Sequence, residues 1–151
     1  MTTEGVEVRQ ATPADVDLVA PLFDAYRQFY RLPSEPERAR NFLRERLERD
    51  QSVILIAFAD GAAIGFTQLY PSFSSGAMAR IFILNDLFVA PEARQRGTGS
   101  ALLQAAAGYG RRNGAIRLVL STEHTNTTAQ AVYERMGWER DTVFRVYQLA
   151  L

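Results

Sequence analysis

The segment Arg94-Gln95-Arg96-Gly97-Thr98-Gly99-Ser100 concentrates what this sequence offers for binding an anion. It follows an apolar run ending at Val89 and a short turn containing Pro91, and it leads into an Ala/Leu-rich stretch with helical patterning. Backbone N–H groups at a helix start are unpaired, and two glycines let an anion approach them without Cβ crowding. Arg94 and Arg96 add positive charge, so the chemistry on offer is phosphate or pyrophosphate binding. A Gly-x-Gly turn is also an ordinary strand-to-helix connection. Charge placement favours binding: the thirty residues from Ala93 to Thr122 contain five Arg and no Asp or Glu. The rest of this neutral, 151-residue chain therefore carries a net charge of −5.

Asp86 is the second candidate. It lies inside the apolar run IFILNDLFV, where a carboxylate costs free energy unless it is paired or used. It reads either as a proton-transfer group or as the structural partner of an Arg. Composition removes most other chemistries. All 17 basic residues are Arg, so there is no lysine for a Schiff base, a phosphate loop or a kinase. The position that a dinucleotide fingerprint reserves for its third glycine is Leu102. No Cys is present, which excludes a thiol nucleophile, an acyl-thioester on the protein and a Cys-ligated metal. The single His124 sits in a polar turn, TEHTN, and reads as a surface residue; no metal site is expected. Carboxylate, Tyr, Ser/Thr and backbone chemistry remain, or binding alone. Near-neutral charge argues against a nucleic-acid or membrane-surface partner, and no apolar run approaches 18 residues. The expectation is a soluble, cytoplasmic protein.

Arg94-x-x-Gly97-x-Gly99, after a strand ending Asp86-Leu87-Phe88-Val89, resembles the acetyl-CoA loop of the GNAT superfamily of N-acetyltransferases, [QR]-x-x-G-x-[GA]. Downstream, Asn126-x-x-Ala129-x-x-x-Tyr133-x-x-x-Gly137-Trp138 is similar to the family's second motif, N-x-x-A-x-x-x-Y-x-x-x-G-[FW]. The close match covers about residues 80 to 140. NDLFV and the preceding YPSFSS are similar to the small yeast-type enzymes that act on histones, polyamines or D-amino acids.

The resemblance implies acetyl-CoA as cofactor and direct transfer to an amine, with no acyl-enzyme. The backbone of Leu87, Phe88 and Val89 would pair with the pantetheine arm, in a sheet that splays open beyond that strand. Arg94, Gln95, Arg96, Gly97, Thr98, Gly99 and Ser100 would hold the pyrophosphate, and Asn126 and Ala129 would lie near the pantetheine. A backbone N–H near Leu87 or Phe88 would polarise the thioester carbonyl. Tyr133 would protonate the departing thiolate; with Ala129, Val132 and Met136 it also fits a plain core face. Asn85 stands where many relatives have Glu, which leaves the base open between Asp86, a water chain and a Glu elsewhere. The acceptor pocket would draw on Tyr26, Phe29, Tyr30, Arg31, Tyr70, Phe73 and Ser74, an aromatic set suited to cation–π contact, with Arg31 for a substrate carboxylate or phosphate. Two competing readings are a catalytically silent CoA-binding regulatory module, suggested by Asn85, and a nucleotide binder using the Arg-rich segment.

The elements that must position these residues follow from periodicity and punctuation. Val6 and Val8 mark a first strand. Thr12-Pro13-Ala14-Asp15 opens a helix reaching about Tyr30. Ser34 with Glu37 resembles a capping box before a helix whose apolar face is Ala39, Phe42, Leu43 and Leu47. Two strands flank the Asp60-Gly61 turn, residues 71 to 76 read as a loop, and a third strand runs from Arg80 to Val89. A helix from Thr98 to about Arg112 follows, then a strand at 116 to 122, a helix from Asn126 to Met136, and a final strand pair at 138 to 141 and 143 to 149. The order βααβββαβαββ predicts a single α/β domain over residues 1 to 151, with a mixed central sheet flanked by helices. The apolar last strand, VFRVYQLAL, offers an edge for a second copy, and the resemblance also implies a homodimer.

Overall fold

A computed structural model of the chain describes residues 5–94 and 96–151. In order it contains β1 (Val6–Gln10), a 3-10 turn (Pro13–Asp15), α1 (Val16–Phe29), α2 (Pro36–Glu48), β2 (Val53–Ala59), β3 (Ala62–Ser74) and β4 (Ala79–Val89). A second 3-10 turn (Pro91–Ala93), α3 (Thr98–Arg112), β5 (Ala115–Val119) and α4 (Thr127–Arg135) complete it. The residues up to Ser121 form one compact unit and those from Thr122 onward a second.

The first unit is built on a five-stranded sheet in the order β1-β2-β3-β4-β5. β1 to β4 pair antiparallel, and β5 runs parallel to β4. The Asp60-Gly61 turn between β2 and β3 has φ of 51° and 79° at its two residues, the mirror-image geometry that matches strand twist. Strand parity sorts the core. Ile54, Ile56, Phe66 and Phe88 meet Val16, Val19 and Phe23 of α1 and Leu43 and Leu47 of α2 in one buried cluster. On the opposite face Phe82 meets Tyr109 of α3 edge-on, at 5.5 Å between ring centres. Leu102, Leu103 and Ala106 of α3 are buried there.

Three expectations about elements need correction. β3 continues through Pro71 to Ser74, where a loop is expected. Pro71 sits beyond Leu69, the last β3 residue paired to β2, so its missing N–H faces no strand on that side. The Ser34–Glu37 capping box does not form: α2 begins at Pro36 without a side-chain cap. The Ser34 hydroxyl instead donates to Asp24 Oδ2 at 2.6 Å, and the Glu35 N–H donates to Oδ1 at 2.8 Å. The buried Asp24 carboxylate thus outcompetes the local cap.

The third correction concerns the end of the chain. Residues 138–151 form no strand, and the observed order is βααβββαβα. Only the turn between the two expected strands is present: Asp141 Oδ1 accepts from the N–H groups of Val143 and Phe144 at 2.8 and 3.1 Å. A strand draws its backbone hydrogen bonds from a neighbour, and β patterning alone cannot supply one.

Candidate active site

α3 begins at Gly97, whose φ of 76° lies in the left-handed region that a side chain resists. No side chain caps this helix start, and its first turn carries no acidic residue. Among the described residues, a Cβ built on Gly99 meets nothing within 4 Å, and the buried Thr98 Oγ1 has no hydrogen-bond partner. Uncapped N–H groups and open space at Gly99 are what a pyrophosphate-bearing cofactor requires, so these residues fit acetyl-CoA. Arg96 is exposed and Ser100 half-buried beside them, and Gln95 lies outside the described residues. Arg94 is tied to the end of β4: its Nε donates to the Val89 carbonyl at 3.0 Å, and its guanidinium lies over the rings of Phe29 and Phe88.

The sheet opens where the resemblance implies. β5 pairs with β4 only at Arg80, Phe82 and Ile83. From Leu84 to Val89 that side of β4 pairs with no strand among the described residues, while Leu87, Phe88 and Val89 remain locked to Thr67, Phe66 and Gly65 of β3 on the other. Gly65 is required for that approach, since a Cβ there would lie 2.8 Å from the Phe88 carbonyl oxygen.

A β-bulge interrupts the β3–β4 ladder: Gln68 pairs with Asp86 and Leu69 with Leu84, so Asn85 is the extra residue. The bulge turns Asp86 onto the α1 face with Phe88. Asp86 is 3% exposed and Gln68 is fully buried. Gln68 Nε2 donates to Asp86 Oδ2 at 2.6 Å, Asn85 Nδ2 donates to Oδ1 at 3.1 Å, and Thr67 Oγ1 donates to the Asp86 carbonyl at 2.8 Å. Burial pushes the Asp86 carboxyl above the ordinary carboxylate range, opposed by hydrogen bonds from Gln68, Asn85 and Tyr26. Asp86 is therefore paired to amides and not to an Arg. Gln68 was missed by sequence reasoning; the polar pair Thr67-Gln68 inside IGFTQLY was the available signal.

Aromatic residues line the approach to this carboxylate. Tyr26 of α1 packs edge-on against Tyr30, Phe66 and Phe88, and its hydroxyl donates to the Asn85 carbonyl at 3.4 Å. Burial raises the Tyr26 phenol well above its ordinary range, and the Asp86 charge adds to this. Tyr70 is pushed up to about 12, by burial first and then by Asp86. Both phenols stay protonated at neutral pH. Arg31 follows α1 with φ of 66°, and Phe29 is stacked edge-on against Tyr30. Phe73 does not join them. Five residues beyond Gln68 in β3, it falls on the opposite face, exposed and covered by the Arg80 guanidinium at 4.5 Å.

The second unit holds Asn126, Ala129 and Tyr133. Asn126 Oδ1 caps α4 by accepting from the Ala129 N–H at 3.3 Å. Tyr133 is half-buried, with its ring 6.0 Å from that of Trp138, and Gly137 ends the helix with φ of 94°.

A family model described as the acetyltransferase (GNAT) family matches residues 19–138, across both units. The chain belongs to the GNAT family of acetyltransferases. It is similar to the uncharacterized N-acetyltransferase YhfO of Bacillus subtilis, with 54% identity over 144 residues that cover 95% of this chain and 97% of the relative. Among solved structures it is similar to a probable acetyltransferase, at 46% identity and a TM-score of 0.91, covering 96% and 97% of the two chains. A further similar structure, at 26% identity and a TM-score of 0.79 over 97% and 99%, is the aminoglycoside acetyltransferase AAC(6')-Iy in complex with a bisubstrate analog built on CoA. This GNAT protein is accordingly an N-acetyltransferase that uses acetyl-CoA, and the open edge of β4 and the uncapped start of α3 are the features of its first unit that suit that cofactor.

Proposed function

We propose that this enzyme transfers the acetyl group directly to a primary amine of a small molecule or protein, with Asp86 accepting the proton that the ammonium must lose. The observation that carries the assignment is Asp86 itself: a buried carboxylate paired to two amides, held above the usual carboxylate range, and facing Tyr26 and Tyr70. A carboxylate among phenol rings attracts a cationic amine, and a raised pKa makes it a stronger base toward the ammonium proton. Asn85, where many family members have Glu, then serves by orienting Asp86.

Acetyl-CoA, when bound, supplies the activated acetyl thioester. The N–H groups at Thr98, Gly99 and Ser100, with Arg94, Gln95 and Arg96, hold its pyrophosphate, and the backbone of Leu87, Phe88 and Val89 aligns its pantetheine, with Asn126 and Ala129 lending further contact. Tyr133 donates the proton that the thiolate takes up, a role supported by its motif. Tyr26, Tyr30, Arg31 and Tyr70 shape the acceptor side; Phe73, on the other face of β3, is not part of it. The family match across residues 19–138 supports both units acting as one acetyltransferase domain.

The same proposal makes the enzyme a cytoplasmic homodimer. Support for a second copy comes from Val143, Phe144, Val146, Tyr147 and Leu149, which are all at least 79% exposed, an apolar row suited to edge pairing. Light scattering on the full chain checks this, and a monomer at micromolar concentration refutes it.

Release of free CoA, followed with DTNB across polyamines, D-amino acids, aminoglycosides and histone peptides, tests the activity. Turnover with at least one amine is expected, and acetyl-CoA binding without any turnover would overturn the proposal. With the amine in hand, Tyr133→Phe is expected to lower kcat by roughly 10²-fold with little change in acetyl-CoA affinity. Unchanged kcat removes the acid role.

A further inference from the structure

Resting on Asp86 as proton acceptor, we propose that Gln68 is its positioning residue, an amide that serves both protonation states by donating to the carboxylate and, turned over, accepting from the carboxylic acid. The two side chains lie in register on adjacent strands, both buried, with Gln68 Nε2 2.6 Å from Asp86 Oδ2. Gln68 Oε1, the other polar atom of the same amide, is buried and has no hydrogen-bond partner among the described residues. An ionised carboxylate only accepts hydrogen bonds, so the amide must present nitrogen to it, and its oxygen is left idle. A protonated carboxyl carries an O–H that needs an acceptor at the same place. Half a turn of the Gln68 amide supplies one, with little change in shape. Asn85 holds Oδ1 throughout, so the proton is directed to Oδ2.

Among the described residues no charged group beside Asp86 takes over this task, and Gln68 is the neighbour in register with it across the ladder. The titratable groups that face Asp86 are Tyr26 from α1 and Tyr70 from β3, both of which stay neutral. Arg46 of α2 acts on Tyr70, and Tyr30 on Tyr26. The shift of Asp86 itself is set by burial and by Gln68, Asn85 and Tyr26, with no cation among its causes. In the reaction the C–N bond forms as the C–S bond breaks, and two protons leave the ammonium nitrogen. One rests on Asp86 Oδ2 before passing to solvent; the other balances the proton that the thiolate acquires.

The test is carboxyl carbon-13 NMR of Asp86 against pH, on the protein without acetyl-CoA, in wild type and Gln68→Met. Methionine keeps the volume and removes both amide functions. The amide gives the carboxylate a charge-assisted hydrogen bond and the acid only a weaker neutral one, so its loss is expected to move the Asp86 midpoint to higher pH. It should also lower kcat/KM about tenfold on the acid limb of the rate profile, with the alkaline plateau kept. A midpoint that stays put overturns the proposal, whatever happens to the melting temperature. If Gln68→Met fails to fold, Gln68→Glu replaces it: two carboxyls in that space are expected to titrate in two separated steps, and a single unshifted Asp86 step overturns the proposal. Asp86→Asn separates this from the reading beneath it. An acid limb that survives Asp86→Asn removes Asp86 as the base, whereas loss of that limb beside an unmoved Gln68→Met midpoint sinks the Gln68 role alone.

Discussion

Replacing Gly65 with alanine places a methyl group 2.8 Å from the Phe88 carbonyl oxygen and 3.4 Å from both the Val89 Cα and a Leu102 methyl. Carbon–oxygen contacts settle at about 3.3 Å or more, so the β3 and β4 backbones must part by roughly 0.5 Å. Two of the three neighbours are main chain in a paired ladder, and the third belongs to a fully buried leucine. None can swing aside. Overpacking of this kind costs about 1–3 kcal/mol, partly offset by the ~0.4–1 kcal/mol that alanine removes from the entropy of the unfolded chain. A net loss of about 1–2 kcal/mol lowers the melting temperature by roughly 2–8 °C in a chain of this size. The displaced residues are those whose backbone is assigned to the pantetheine and the thioester carbonyl. A 1 Å misplacement can cost about a hundredfold in rate, so half of that predicts a loss of about tenfold in kcat/KM for acetyl-CoA. Thermal melts and DTNB kinetics measure the two effects. Gly76→Ala, with nothing within 4 Å of its Cβ, is the matched control and should leave both unchanged. A Gly65→Ala enzyme with wild-type melting and wild-type acetyl-CoA kinetics would refute the account of the β4 edge.

Gly97→Ala forces a side chain into the left-handed region at the start of α3, a strain of about 1–2 kcal/mol that reorients the uncapped N–H groups. The KM for acetyl-CoA should rise about tenfold with kcat nearly retained, and an unchanged KM argues against pyrophosphate binding there. Asp15 is held down at about 2, first by its two hydrogen bonds from Arg9 and then by the Thr12 N–H. Its folded-state pKa is depressed, so its contribution is complete above about pH 4 and disappears as pH falls through about 2. With Arg9 half-exposed, solvent screening reduces that contribution to about 1 kcal/mol. Urea unfolding of Asp15→Asn should therefore show a deficit at pH 7 that closes near pH 2, and a pH-independent deficit contradicts the pairing. Asp24→Ala removes the acceptor of the exposed Ser34 hydroxyl, which water replaces, and of the half-buried Glu35 N–H, at a cost of about 1–2 kcal/mol. Hydrogen exchange should quicken at residues 35–39, and unaltered protection there shows that Asp24 does not organise the start of α2.

What sequence made legible was local. Gly97 and Gly99 at the start of an apolar helix, the Asp60-Gly61 turn and the helix ends near Arg112 and Met136 each depend on a few adjacent residues, and all appear as expected. What stayed hidden depends on partners far along the chain. Ser34 reads as a cap until Asp24, ten residues earlier, takes its hydroxyl. VFRVYQLAL reads as a strand, yet a strand exists only where another presents its backbone. The bulge at Asn85 is the sharpest case. Strict alternation through ILNDLFV puts Leu84, Asp86 and Phe88 on one face, which predicts a carboxylate among the leucines of α3. One extra residue at Asn85 reverses the parity: Leu84 stays with Leu69 on the α3 side, while Asp86 and Phe88 turn toward Gln68, Phe66 and Tyr26. The same register shift lies just beyond Ile83, where β5 stops pairing. One inserted residue thus marks where the sheet opens and turns a carboxylate toward Gln68 and Tyr26. A strand-pairing event of that kind is fixed by neighbours that local sequence does not name.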